Sequence, residues 1–320
     1  MLYNIFYPNY IKEYTFISII FAFAITCIAI TLGKEALPKD GGRAFAVNGK
    51  LSAGKPRGAG IIFTLTFILS VVLFVPLNSE LMVYLILTLA AMLSGFFDDS
   101  AQTPWGELKK GIIDFVIAIM SAVTYLNFNP NTIHLPFTDI NLTLHPLLFG
   151  FLIVILVWAS INVTNCTDGV DGLCGTISCI TLATIFGLYS YYDTEPYMRH
   201  TILLLIVAIL GYLWFNASPS RLLMGDAGSR AIGLFIALAV LKTQSPLFYI
   251  PAAIILIIDG GLGLIKVSLL RFLKIRILTN VRTPIHDHMR KNKGWSDTQV
   301  VLRFAIIQTV ISASILYALH

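Results

Sequence analysis

The sequence predicts an all-α fold, a polytopic membrane bundle of about ten transmembrane helices with a small periplasmic hairpin, and three observations carry that reading. Of the 320 residues, 57% are hydrophobic and 12% charged, with a mean hydropathy of +0.80, far above an ordinary soluble domain. Apolar runs of about the length a helix needs to cross a bilayer recur with short separations, which favours one compact helical bundle, since helices satisfy their own backbone in lipid. Lys and Arg fall on alternate loops. With the N-terminus outside, 19 of the 22 basic residues lie on the inner side, and only Lys12, Arg199 and Lys242 lie opposite, as positive-inside topology requires.

The expected spans run roughly over 14–33, 58–77, 81–97, 110–126, 147–163, 173–190, 201–215, 228–241, 247–270 and 302–319. The first lacks a small-residue cleavage site and reads as a retained span rather than a removed signal peptide. The outer segment NFNPNTIHLPFTDINLTLHP (127–146), with its Pro, Asn and alternating apolar residues, reads as the hairpin. No internal repeat, linker or low-complexity tract divides the chain, so residues 1–320 read as one integral-membrane domain. Cys27, Cys166, Cys174 and Cys179 form no CxxC pair. The topology puts Cys166 and Cys174 near a reducing compartment, which favours free thiols. The net charge of +5 follows from the inner loops, including Arg43, Lys50, Lys55 and Arg57. It points to anionic partners at that face and not to nucleic acid.

FFDDS (96–100) closes the uncharged run LMVYLILTLAAMLSGFF (81–97) with two adjacent carboxylates. Neighbours on a helix point about 100° apart, so Asp98 and Asp99 do not chelate one ion together and have different jobs: one for a metal, the other for a lysine or a substrate proton. In INVTNCTDGVDGL (161–173), Asn162, Asn165, Asp168 and Asp171 recur every three residues and would line one face of a continuing helix. Gly169 and Gly172 argue for a broken helix end. Asn162 and Asn165 also fit the N-glycosylation pattern, but that requires the outer face.

MGDAGS (224–229) precedes the apolar run RAIGLFIALAV (230–240). Small residues around an acid at a helix start leave backbone N–H groups open to phosphate, while Asp226 can hold a hard cation bridging to it. His286, Asp287 and His288 open a basic loop after Pro284. With no further His or Cys nearby this is a weak zinc signal, and phosphate contact suits the histidines better. Lys55 and Arg57, among glycines, form a flexible cationic loop. Lys109 and Lys110 read equally as site cations and as interface residues that snorkel. Asp114 is expected to pair with Lys110 across one turn. Asp259, mid-span in IIDGGLG (257–263), is a secondary candidate, because an ionisable group there is costly unless paired or functional.

In this order, FFDDS, NVTNCTDGVDGL, MGDAGS and PIHDHMRKNKGW resemble the polyprenyl-phosphate N-acetylhexosamine-1-phosphate transferases over nearly the whole chain. PIHDHMRKNKGWSDTQVVLRF (284–304) is similar to the His-rich and KGW segment of the branch that makes lipid I in peptidoglycan synthesis. The resemblance implies a multi-pass enzyme of the bacterial cytoplasmic (inner) membrane, usually a homodimer, with its active site on the cytoplasmic face and a need for Mg²⁺. It implies transfer of phospho-MurNAc-pentapeptide from UDP-MurNAc-pentapeptide to undecaprenyl phosphate, with release of UMP.

By position, Asp98 and Asp99 match the family's aspartate pair, Asp226 its magnesium-binding aspartate, and His286 and His288 two of its three histidines. Asp98, Asp99, Asp226 and His286 are the expected catalytic residues, with Asp226 the metal ligand. Lys55, Lys109, Asn162, Asn165, Asp168, Asp171 and His288 are expected to bind substrate. Three features depart from the family pattern: Asp287 at the middle histidine, SAGKPRGAG (52–60) for a Thr-Pro-Thr-Met-Gly-Gly segment, and Leu223 where an aromatic residue is common. A branch using UDP-N-acetylglucosamine for teichoic-acid or O-antigen initiation is the near alternative, disfavoured by the GW-containing segment. An ion-coupled transporter is the distant one, but it calls for internal repeats and midplane polar residues.

Overall fold

The computed structural model describes residues 11–42, 52–101, 103–192 and 196–319; Arg43 and Lys50 lie outside them. The chain forms the expected helical bundle. Its helices are α1 (Ile11–Gly33), α2 (Gly60–Phe74), α3 (Ser79–Asp99), α4 (Glu107–Phe128), α5 (Pro146–Thr167), α6 (Leu173–Tyr192), α7 (Pro196–Asn216) and α8 (Gly225–Leu241). A bent span then joins Pro246–Ala252 to Ile254–Leu273 at 68°, followed by α9 (Ile285–Lys293) and α10 (Asp297–Leu319).

Among the described residues, seven helices are long and apolar enough to cross a membrane, or eight with the bent pair. All ten expected intervals fall on helix, but α2, at 15 residues, and α8, at 17, are shorter than the roughly 20 that a lone crossing needs. Length therefore does not carry a count of ten. Large apolar side chains such as Leu32, Ile86, Val123, Leu147, Trp214, Phe272 and Tyr317 point outward. An apolar exterior on apolar helices makes this a multi-pass membrane protein.

The hairpin also forms. β1 (Thr132–His134) pairs antiparallel with β2 (Asn141–Thr143), Ile133 opposite Leu142. It is tied to the end of α8 by the His134 amide, which donates to the Gln244 carbonyl at 2.7 Å, and by Ser245 Oγ, which donates to the His134 carbonyl at 2.8 Å.

α8 is the axis of the bundle. Every residue in it except Asp226 is buried, and α2, α3, α5 and α6 pack around it, as a helix apolar on all sides demands. α3 approaches its first turn across Gly95, where a Cβ would collide with the Asp226 carbonyl. Gly225, with a φ of +71°, lies against the Asp99 carboxylate, and a Cβ there would meet it. These two glycines bring the ends of α3 and α8 together and so decide which acids share a site.

Candidate active site

Asp98 and Asp99 diverge as adjacent helical residues must. Asp98 is buried; it takes Lys110 Nζ at 2.5 Å on Oδ2 and the Trp105 amide at 2.6 Å on Oδ1. Asp99 faces the other way. Arg57 Nε lies 2.9 Å from its Oδ1, and the Ala227 amide donates to its Oδ2 at 3.1 Å. Asp226, in the first turn of α8, sits between the two: Lys110 at 3.4 Å, Arg230 at 3.6 Å and Arg57 at 3.8 Å surround its carboxylate. Those distances exceed the roughly 2.7–2.9 Å of a tight charge-assisted hydrogen bond. The Asp226 side chain also keeps 13% of its surface exposed.

The cationic segment is not the flexible loop expected from its glycines. The Asp40 amide donates to the Lys55 carbonyl, Arg57 to Pro38, Leu223 to Pro56, and Ala59 to Leu223, all at 2.8–3.0 Å. It runs as an extended strip stitched on both edges, because its backbone groups lie between protein segments and must pair there. Lys55 Nζ donates to Ser220 Oγ at 2.9 Å and lies 3.7 Å from Asp171. Arg57 also lies 3.4 Å from Asp40. Burial alone would lower the pKa of Arg57, but Asp99, Asp226 and Asp40 outweigh it and raise it above its ordinary value. It is a permanent cation among three acids.

The two lysines on α4 separate. Lys109 stacks over the Trp105 ring at 3.3 Å, while Lys110 enters the acid cluster. Asp114 does not take Lys110 as its partner. Arg230 donates to it at 2.8 Å, with Asn162 Nδ2 at 3.5 Å, because Lys110 is held by Asp98 and Asp226 instead.

The polar ladder of 162–171 breaks where its glycines suggest. α5 ends at Thr167 with Asp168 as its C-cap, and a turn leads into α6. Asn165 donates to Ser229 Oγ at 2.9 Å and also hydrogen-bonds Asp226. Asp171 accepts from the Ser220 amide at 3.0 Å. Asn216 holds the turn in place, accepting from the Gly172 amide at 2.8 Å and donating to the Leu222 carbonyl at 2.9 Å.

His286, Asp287 and His288 lie on the short helix α9 rather than a loop, so residues two apart face opposite ways. His286 is buried. Its amide donates to Asp259 Oδ1 at 2.7 Å, and its ring Nδ1 lies 2.8 Å from Asp259 Oδ2. Its Nε2 edge packs on Gly169, where a Cβ would collide with it. His288 turns outward and accepts from the Arg282 amide at 3.3 Å. Arg290 reaches the Gly169 carbonyl at 3.5 Å and Asp297 at 2.7 Å.

Shared partners thus join Asp98, Asp99, Asp226, Asn162, Asn165 and Asp114, and beside them lie Lys55–Asp171 and His286–Gly169. Sequence reading passed over Arg230, Asn216 and Arg290, and paired Lys110 with Asp114 rather than with Asp98 and Asp226. Arg230 carried a usable signal, standing four residues from Asp226 on one helix. Among the described residues, no three His, Cys, Asp or Glu side chains converge to cage a metal. A partly exposed carboxylate without tight hydrogen bonds from its cations suits an ion such as Mg²⁺, which keeps waters and shares substrate phosphates.

Residues 81–244 match the model of glycosyl transferase family 4. A phospho-N-acetylmuramoyl-pentapeptide-transferase of Treponema pallidum (strain Nichols) is 39% identical over 298 residues, covering 88% of this chain and 82% of that protein. Proteins of the same name from Bartonella quintana (strain Toulouse) and Wolbachia sp. subsp. Drosophila simulans (strain wRi) are 31% and 30% identical. They cover 81% and 93% of this chain and 78% and 95% of their own lengths.

Proposed function

Given that the chain belongs to glycosyl transferase family 4, we propose that it transfers phospho-MurNAc-pentapeptide from UDP-MurNAc-pentapeptide to undecaprenyl phosphate, giving lipid I and UMP for peptidoglycan synthesis. The observation that carries this reading is the joining of Asp98, Asp99 and Asp226 through Lys110 and Arg57 at one end of the bundle. Two substrate anions must meet there, and only a site rich in fixed cations offsets their repulsion.

In net terms, an oxygen of the lipid phosphate bonds to the sugar-proximal phosphorus, and the bond from that phosphorus to the bridging oxygen breaks. UMP leaves with the bridging oxygen. A lipid monophosphate is mostly dianionic at neutral pH, by analogy with phosphorylated side chains, so a strong base is not required. Asp99 Oδ1, which is buried and has a charge contact with Arg57 but no aligned hydrogen bond, is the carboxylate oxygen with hydrogen-bonding capacity left for any residual proton. Asp98 orients Lys110 toward the phosphates. Asp226 would hold Mg²⁺, which when bound supplies charge neutralisation across the two phosphates. Asn165, Asp168, Asp171 and Lys55 would bind the nucleotide side, and Asn162, Lys109 and His288 would add further substrate contacts. His286 would meet the substrate through Nε2.

A cavity of about 730 Å³, open along its side and lined by Leu152, Leu156, Trp158, Leu241 and Leu264, runs between α5 and the bent span and reaches Val163 and Gly261. Its apolar lining suits the polyprenyl chain. We place the protein as one domain and as a homodimer in the bacterial inner membrane, with the site facing the cytoplasm.

Two measurements test this reading. Purified protein given undecaprenyl phosphate, Mg²⁺ and one donor at a time is expected to release UMP from UDP-MurNAc-pentapeptide and not from UDP-N-acetylglucosamine. The reverse preference moves the chain to the N-acetylglucosamine branch. Cysteines placed at Asn165 or Asp168, with the four native ones removed, are expected to react with an impermeant reagent only once the inner face is opened. Labelling of intact cells would invert the topology.

A further inference from the structure

Asp259 stands outside the acid cluster, and the reaction above makes no use of it. It lies in a π-helical turn, Ile257–Gly261, of the bent span and is fully buried. Such turns mark functional positions in helices, and a carboxylate at membrane depth is costly unless paired. Both of its oxygens go to one residue: Oδ1 accepts from the His286 amide at 2.7 Å, and Oδ2 lies 2.8 Å from His286 Nδ1.

The chemistry of that contact fixes a proton. Oδ1 already accepts from the His286 amide, and a carboxylate has no proton to donate, so the proton of the Oδ2 contact is the ring's. A neutral ring carries a single proton. With that proton on Nδ1, Nε2 is bare, and it is Nε2 that packs on Gly169 beside Asp168 and Asp171.

We infer that Asp259 is a positioning residue for the transfer reaction: its two hydrogen bonds fix the orientation and tautomer of His286 and present Nε2 to the substrate at the 168–172 turn. The kinetic part of this inference rests on the proposed reaction; the tautomer does not. Asn at 259 keeps the shape but offers one acceptor and one donor. With its oxygen on the His286 amide, its NH₂ meets Nδ1 and favours the opposite tautomer, as the same change does in Ser-His-Asp triads.

The test uses full-length protein labelled with ¹⁵N-histidine in detergent micelles, with His286 assigned by its loss in His286→Gln. Long-range ¹H–¹⁵N spectra are expected to show His286 protonated on Nδ1 and bare on Nε2, and the reverse in Asp259→Asn. UMP release is expected to fall at least tenfold in Asp259→Asn and in His286→Ala, and no further when Asp259→Asn is added to His286→Ala. A native Nδ1 that is bare overturns the inference, whether or not the variants fold. So does a double variant in which the two losses multiply, because Asp259 then acts through something other than His286. If wild-type protein releases UMP from neither donor, the proposed reaction fails, while the spectrum still decides the pairing.

Discussion

Asp226→Asn is expected to lower UMP release a hundredfold or more while the protein still inserts and unfolds at a similar temperature. The substitution keeps the shape of the side chain at the start of α8 and removes its charge. Asp226 is the acid to which Lys110, Arg57 and Arg230 all turn, at 3.4–3.8 Å, and none of those contacts is short enough to hold its oxygens. Between these long contacts and the Asn165 hydrogen bond, the carboxylate can still turn an oxygen toward a hard cation, and in the proposed reaction the charge it supports would be felt most when two phosphates meet. Removing a preorganised electrostatic partner of that kind costs about 3 kcal/mol or more, a hundredfold or greater in rate. The measurement is UMP release across a Mg²⁺ titration. The variant should need more Mg²⁺ or fail at any concentration; an unchanged Mg²⁺ dependence with near-normal turnover would move the metal to Asp98 or Asp99.

The largest effect on stability is expected at the Arg230–Asp114 pair. Their side chains are 4% and 1% exposed, and Arg230 Nη1 lies 2.8 Å from Asp114 Oδ1. Arg230→Met leaves a carboxylate enclosed between α4, α5 and α8, with Asn162 at 3.5 Å as its remaining hydrogen-bond partner. Breaking a buried pair from one side costs about 3–5 kcal/mol, because the remaining charge has lost its compensation, whereas replacing both charges with apolar groups is often close to neutral. Thermal unfolding in detergent is therefore expected to show a large loss for Arg230→Met and for Asp114→Ala. Most of it should return in Asp114→Leu combined with Arg230→Met. That double variant should remain poorly active, since Asp226 has lost a neighbouring cation. Single variants as stable as wild type would mean that water reaches the pair and that burial is not what makes it strong.

Much of the site was legible because its chemistry is local. Asp226 could be placed at a helix start from the small residues around it and the apolar run that follows, and it lies in the first turn of α8. The break after Thr167 followed from Gly169 and Gly172, which weaken a helix wherever it sits. The divergence of Asp98 and Asp99 needed only the angular step of a helix. The membrane class and the hairpin between α4 and α5 were equally local, resting on hydropathy and on turn residues.

The partners of charges were not legible, for a reason that Lys110 shows. On α4, Lys109 and Lys110 are equivalent in sequence, and either could have faced the bundle; the direction in which α4 packs sends one over Trp105 and the other to Asp98 and Asp226. Asp114 stood at the right spacing to pair with Lys110, yet a guanidinium arriving from α8 took its place. Asp259 and His286 are 27 residues apart, and their two hydrogen bonds exist because the bent span delivers one beneath the helix that carries the other. Hydropathy, helix starts and helix breaks depend on a window of a few residues and a fixed backbone period, so the sequence by itself determined the class of the protein and where its helices begin and break. Which acid meets which cation depends on how helices distant in sequence cross, and that is set by close approaches such as Gly95 against Asp226 and Gly225 against Asp99. Only the tertiary structure decided it, because a Coulomb or hydrogen-bond energy depends on distance in space and carries no memory of distance along the chain.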